Sequence, residues 1–440
     1  MKYINRNRIN IVGAGLAGCE ACYYLLKKGY EVHLYEMRPV KMTPAHKGDG
    51  FCELVCSNSL RSDSLENAVG ILKEELRMLD SILMEAGNKA RIPAGGSFAV
   101  DRDILSKEVK HILSEFDNLF IHYEEVADFL DGYTIYACGP LVSESLDYKI
   151  KEKFGRDNLH FFDAIAPIID KDGIDFDICY WKNRYDKGDS KDYINCPLTS
   201  EQYKEFYDYL VNAPVVATKD FENNIFEGCM PVEVMARRGY ETLLFGPLKP
   251  VGLNKEDGSR PFAVVQLRID DIYQKTFNLV GFQTHLTWSA QKELINKYIP
   301  GLSKVVINRY GVMHRNTYLN SPKILNNGYQ VISDENIFFA GQITGVEGYV
   351  ESAASGLSAA INLDSFIKNG VINPLPITTI IGSMSNYISH CNNNFVPMNA
   401  NFGILVDLDF KHKKKERKLL YSNRALTDLK SYIDNYLINK

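Results

Sequence analysis

The sequence predicts an α/β fold in which a Rossmann-like dinucleotide-binding domain is interrupted by an inserted α+β domain. Three observations predict it. A glycine-rich turn joins two strand patterns at the amino end; the pattern changes to mixed short strands and helices after about residue 150; and a late strand followed by a small-residue helix resumes the first pattern. The limits that follow are 1–150 and 320–440 for the two parts of the nucleotide-binding domain and 151–319 for the insertion. A chain of 440 residues is long enough for two to three domains and for an interior that encloses a large cofactor.

Arg8 to Val12 reads as a short strand, Gly13 to Gly18 as a turn, and the apolar stretch through Leu26 as a helix stopped at Lys28-Gly29. Glu31 to Glu36 resumes as a strand. Residues 39 to 64 lack periodicity and contain Pro, Gly and Ser, which predicts a long loop of the kind that carries function. Val69, Leu72, Leu76, Leu79 and Leu83 fall on one face of a single helix expected from Leu65 to Ala86 and ended by Gly87. Tyr133 to Ala137 reads as a buried strand. Turn signals such as Asp172-Gly173 and Asp257-Gly258 punctuate the insertion. Asn336 to Ala340 is a final strand and Glu351 to Asn362 a helix, while Lys411 to Lys418 is a basic run expected on a surface segment.

Hydrophobic residues at 45% and charged residues at 24% are globular values. No apolar run is long enough to span a bilayer, and Met1 to Asn10 lacks the apolar core of a signal peptide, so a cytoplasmic location is expected. The nine cysteines (19, 22, 52, 56, 138, 179, 196, 229, 391) show no CxxC pairing with His partners, so no metal site is expected and free thiols are. A net charge of −5 means that any nucleic-acid contact must use a local basic patch.

Gly13, Gly15 and Gly18 form the dinucleotide fingerprint, with Ala14, Leu16 and Ala17 between them and acidic Glu36 ending the second strand. Glycine at 13 permits the tight turn, at 15 lets a pyrophosphate approach, and at 18 lets helix and strand pack closely. Glu36 is expected to accept a ribose hydroxyl. A structural turn without ligand is the alternative. Phe338-Phe-Ala-Gly341, followed by Gly345-Val-Glu-Gly348 and a small-residue helix, looks like the second FAD contact of glutathione-reductase-type flavoproteins, which favours FAD over NAD. Cys56 and Cys229 lie in turn-rich loops beside small polar residues, a setting for a reactive thiol, although burial is the commoner fate of a free cysteine. Cys19, Cys22 and Cys138 read as packing residues. Arg237, Arg238 and Lys249 are candidates for contact with RNA phosphate or another anion, with solvated surface charge the even alternative.

Seven blocks carry a closer resemblance: IVGAGLAGCEA at 11–21, LYEMRP at 34–39, ELVCSNSLR at 53–61, PAGGSFAVDR at 93–102, FEGCMPVEVMARRGYETLLFGPLKPVGL at 226–253, VGFQTHL at 280–286 and FAGQITGVEGYVESAASGL at 339–357. In this order they resemble the bacterial folate- and FAD-dependent uridine-5 methyltransferases, the TrmFO family. The resemblance implies that methylenetetrahydrofolate donates one carbon to uracil C5, that reduced FAD supplies electrons, and that NADPH or NADH reduces the flavin. It implies functional thiols at Cys56 and Cys229, a folate-stacking role for His285, and Tyr349 beside the flavin. Uracil C5 is a poor nucleophile until a thiolate adds at C6, so two loop thiols fit this chemistry. Cys52 departs from the pattern, and an adventitious disulfide there is possible. The implied product is 5-methyluridine in the tRNA T loop, with no obligatory protein partner and no membrane. Alternatives are the same chemistry on a 23S ribosomal RNA uridine and a non-catalytic FAD- and RNA-binding module. The related wobble-uridine flavoproteins carry an additional carboxy-terminal helical region that this chain lacks.

Overall fold

The computed structural model describes residues 7–155, 159–186, 191–216, 230–390 and 395–437. Its first sheet has the spatial order Gln330–Val331, Asp334–Phe339, Tyr133–Tyr136, Arg8–Val12, Glu31–Glu36, Leu119–Tyr123. All pairings are parallel except the hairpin at the Gln330–Val331 edge. Tyr133–Tyr136 is buried on every residue, as a strand covered on both faces must be. The edge strand Leu119–Tyr123 has mixed burial and no clean alternation, so the periodicity of the sequence does not reveal it.

Two helices cover the first sheet at its nucleotide-binding end. Leu16–Lys27 follows the glycine turn, and Tyr349–Asn369 packs directly on it. Small residues make that approach possible: a Cβ on Gly356 would lie 2.1 Å from the Ala17 carbonyl oxygen. The second helix is longer than the expected Glu351 to Asn362 and stops at Gly370, whose φ of +76° lies in the left-handed region that favours glycine.

The single helix expected from Leu65 to Ala86 is two helices, Ala68–Met78 and Ile82–Lys89. Asp80 turns into the left-handed region at φ +61°, and Ser81 caps the second helix by accepting from Met84 N. Glu20, buried in the first helix, supplies what the apolar periodicity could not show. Its carboxylate accepts from Ser81 Oγ, Ile82 N and Leu83 N at 2.9, 3.2 and 3.2 Å, satisfying a helix amino terminus inside the core. Gly87 does not end the helix; it lies within it, where a Cβ would meet the Phe98 ring at 3.2 Å.

The second sheet is antiparallel, in the order Tyr180–Trp181, Tyr193–Leu198, Ala263–Ile269, Thr276–Leu279, Ile168–Asp170, Ile307–Arg309. Helices Ser200–Asn212, Val232–Arg237 and Trp288–Tyr298 complete its core, which also takes in Ile92, Ala94 and Ala99 from the amino-terminal part. Strands Leu159–Ala164 and Met313–Tyr318 pair antiparallel where the chain leaves and re-enters the first unit. Among the described residues no helix is long and apolar enough to cross a membrane. The basic run from Lys411 to Lys418 is exposed, as expected.

Glu75 repeats the device of Glu20: its buried carboxylate accepts from Ile380 N at 2.7 Å and Ile381 N at 2.8 Å at the start of helix Ile380–His390. Burial nevertheless pushes its pKa up from the ordinary carboxylate value to about 8, with the two N–H bonds pulling the other way. Between the unfolded value and about 8 the folded chain holds a proton that the unfolded chain releases, so this group lowers stability as pH rises through that window. Thermal melts of wild type and Glu75→Gln at pH 5.5 and 8.5 should show a smaller fall in Tm across that interval for the variant.

Candidate functional site

The parallel strands of the first sheet end, at their carboxyl edges, around one elongated cavity. Gly13 follows Arg8–Val12, Glu36 closes Glu31–Glu36, Glu124 to Val126 follow Leu119–Tyr123, Ala137 and Cys138 follow Tyr133–Tyr136, and Gly341 follows Asp334–Phe339; all line it. The cavity, of about 150 Å³, lies where doubly wound sheets bind dinucleotides.

The glycines divide the work as their positions demand. Gly13 has φ +104°, and a Cβ there would lie 2.4 Å from the Ala137 carbonyl oxygen. Gly18 presses on the turn itself, since its Cβ would lie 1.8 Å from Gly13 O. At Gly15 a Cβ would meet nothing within 4 Å: the space beside it is cavity, at the amino cap of Leu16–Lys27. Leu16 and Ala17 line the cavity with it, while Ala14 is buried and supplies the N–H that Glu36 Oε2 accepts at 3.0 Å. Gly341, at φ +81°, donates its N–H to Ser355 Oγ at 2.7 Å, tying the late strand to the Tyr349–Asn369 helix. This empty space over a helix amino terminus, with a second helix start nearby, fits the diphosphate and ring system of a dinucleotide.

Glu36 faces the cavity but is already engaged. Besides Ala14 N, it accepts from Arg38 N at 3.0 Å, Arg38 Nε at 2.9 Å and Arg38 Nη2 at 3.2 Å, and the Arg38 side holds its pKa below the ordinary range against the opposing effect of burial. A carboxylate has about four acceptor positions, so a ribose hydroxyl would have to take the place of one of these bonds. Arg38 was not evident from spacing; its sign is a buried arginine, 3% exposed, two residues beyond the fingerprint acid.

A second cavity of about 310 Å³ adjoins the first, and the two share Val55, Pro140, Leu141, Gln342 and Tyr349 as walls. Cys56 lines the second, at 2.8 Å from its Sγ to Tyr349 Oη. The phenol oxygen also accepts from Cys56 N at 2.8 Å and from Ser57 N at 3.4 Å. With two amide donors pointing at the oxygen, the phenol proton is left to point at the sulfur. Burial first, and the Cys56 sulfur second, hold the Tyr349 pKa well above its ordinary value, so this proton stays in place.

The Cys56 loop is fixed from below by Arg102. Its Nη1 donates to Leu54 O at 2.6 Å, and its Nη2 donates to Asp270 Oδ1 at 3.0 Å and reaches Cys56 O at 3.4 Å. Asn58, fully buried, donates to Ile269 O at 3.0 Å and accepts from Arg268 Nε at 3.0 Å. The second sheet therefore holds the loop directly at Asn58 and, through the Arg102–Asp270 pair, at Leu54 and Cys56.

The other predicted residues fall elsewhere. His285 is 3% exposed and lines neither cavity; its backbone N–H and its ring Nδ1 both face Glu233, whose other oxygen accepts from Thr284 Oγ1 at 2.8 Å. Gln283, two residues earlier, does reach the second cavity. Arg237 and Arg238 are exposed at the end of helix Val232–Arg237, Lys249 is half-buried, and none of the three lines either of these two cavities. Cys229 lies outside the described residues. Cys52 is a free thiol, 2% exposed, with its N–H bonded to Ala14 O at 3.0 Å. Cys138, expected only to pack, is half-buried on the wall of the first cavity.

Residues 8–370 match the family model of glucose inhibited division protein A. The chain is 56% identical over 429 residues to the methylenetetrahydrofolate–tRNA-(uracil-5-)-methyltransferase TrmFO of Staphylococcus aureus strain JH9, covering 96% of this chain and 98% of that one. Its identity to the protein of the same name from strain Newman is 55% over 433 residues, covering 97% and 98%. Among solved structures, Aquifex aeolicus GidA superposes with a TM-score of 0.69 at 15% identity over 96% of this chain and 73% of that one, which establishes the shared fold.

Removing the phenol proton should make the Cys56 thiolate harder to form. In Tyr349→Phe, alkylation of Cys56 by iodoacetamide at pH 7.5, followed by peptide mass spectrometry, should slow by about tenfold, the worth of one hydrogen bond to a charged sulfur. An unchanged rate would show that Tyr349 does not tune the thiol.

Proposed function

Because the chain belongs to the glucose inhibited division protein A family, and within it to the TrmFO methyltransferases, we propose a division of labour among its residues for uracil methylation in the tRNA T loop. The chain is a folate- and FAD-dependent tRNA (uracil-5-)-methyltransferase. The observation that carries the residue assignment is the shared wall between the two cavities, where Cys56 and Tyr349 meet.

In this reading the first cavity holds FAD, with the Gly13 to Gly18 turn at its diphosphate and Gly341 and the start of the Tyr349–Asn369 helix toward its ring. FAD, once reduced by NADPH or NADH, supplies the electrons that convert a transferred one-carbon unit to a methyl group. The second cavity takes the uracil and the reactive end of methylenetetrahydrofolate, which brings donor and acceptor within reach of one another. Cys56 is held as a nucleophile or proton acceptor with its sulfur hydrogen-bonded by Tyr349; Cys229 is assigned as the second thiol from the family pattern. His285, oriented by Glu233, supports the folate side. Arg237, Arg238 and Lys249 lie off the cavities and serve RNA phosphates, whose binding should weaken with salt. A cytoplasmic location belongs to the same reading, since its substrate is tRNA.

The direct test is single-turnover transfer from methylenetetrahydrofolate labelled in the donated carbon, with NADPH and unmodified tRNA. Label should enter tRNA with wild type and fall at least a hundredfold with Cys56→Ala and with Cys229→Ala; label entering neither tRNA nor ribosomal RNA overturns the reading. The glycine geometry adds a second expectation. Gly15→Val should fold with an unchanged Tm for the apo chain but purify without the yellow flavin absorbance, because its side chain enters only the cavity, whereas Gly18→Val should not yield soluble protein.

A further inference from the structure

Three guanidinium groups surround the Cys56 loop, and two have their own carboxylates: Arg102 pairs with Asp270 and Arg61 with Glu351. Arg268 has none at ion-pair distance among the described residues. It is 8% exposed and lines the second cavity. Its Nε donates to Asn58 Oδ1 at 3.0 Å, and its Nη2 donates to Ser57 Oγ at 2.8 Å and reaches Asn278 Oδ1 at 3.5 Å. All three acceptors are neutral, and Nη1 has no hydrogen-bond partner among the described residues. A buried cation without a counter-charge is costly to keep, so the missing negative charge is one that the ligand brings or develops.

We infer that Arg268 donates from Nη1 to the C4 oxygen of the target uracil, the oxygen that becomes negative when a protein thiolate adds at C6. The inference rests on the methyltransferase reading above. In that step the sulfur electron pair forms the S–C6 bond, the C5–C6 π pair shifts to C4–C5, and the C4–O π pair moves onto oxygen. No proton is transferred and nothing is oxidised or reduced. The developing charge is then met by a guanidinium that is already desolvated and fixed by Ser57 and Asn58, so no solvent reorganises as it forms.

A uracil enters neutral and becomes charged only at its C4 oxygen, after the thiolate has added at C6. Arg268 offers one amino edge at the base of the cavity, which suits one ring oxygen better than a multiply charged group.

The test uses the flavin-loaded full chain and tRNA tritiated at uracil C5, with methylenetetrahydrofolate and NADPH. Tritium release to water and methyl transfer are measured beside RNA affinity and the flavin spectrum. Arg268→Gln should lose about 100- to 1000-fold in both chemical rates, the scale found on removing one oxyanion donor, with RNA affinity within threefold and the spectrum unchanged. Arg268→Lys, which keeps the charge and guards against a folding failure of the first variant, should recover part of the rate. Tritium release by Arg268→Gln at the wild-type rate overturns the inference. So does a variant whose only defect is weaker RNA binding, which would place a phosphate there, or only a raised KM for folate, which would place its carboxylate there. A wild-type chain that releases no tritium overturns the methyltransferase reading and this one together.

Discussion

Arg102 donates to the carbonyls of Leu54 and Cys56 while its charge is balanced by Asp270, just beyond a strand of the second sheet, and the Cys56 loop depends on this buried pair. The loop has little regular structure of its own, so its backbone carbonyls need partners from elsewhere. Asp270 is the residue just beyond strand Ala263–Ile269, and Asn58 and Arg268 extend the same contact. Removing one member of such a pair typically costs about 3 to 5 kcal/mol, because the other charge is left buried and unpaired. The pair therefore couples the position of Cys56 to the packing of the two sheets.

The second constraint is the close approach of backbone to backbone around the cofactor cavity. Gly18 lies against Gly13, Gly13 against Ala137, and Gly356 against Ala17, each at a distance that forbids a side chain. These contacts bring two helix starts and five strand ends to one cavity. Tyr349, at the start of the second helix, is thereby carried to the wall between the cavities, where its hydroxyl meets Cys56. The walls of the first cavity and the setting of the Cys56 thiol thus share one scaffold.

Charge burial follows a consistent pattern. Glu20 and Glu75 each close a helix amino terminus inside the core, and Glu233 holds both the backbone and the ring of His285. In the first two, burial raises the pKa more than the donated N–H bonds lower it. Such acids are invisible as functional elements in the sequence, where each is one more polar residue in a helix. Arg268 belongs to the same class of buried charge, but its unengaged edge lies in a cavity rather than against a helix end.

What the sequence determined by itself was whatever depends on local spacing or on family pattern. The glycine fingerprint, the strand and helix flanking it and the late strand before Gly341 are each legible because strand and helix periods and glycine's tolerance of positive φ are local properties. The break at Asp80 was not legible, since the apolar face continues across it and the Ser81 cap of the second helix is completed by the Glu20 carboxylate, some sixty residues away in sequence. Tertiary structure alone decided that Glu36 is engaged by Arg38, that His285 is buried against Glu233, and that Tyr349 and Cys56, 293 residues apart in sequence, share a hydrogen bond. These are contacts between elements, and no periodicity along the chain encodes which distant atoms a fold will bring to within 3 Å.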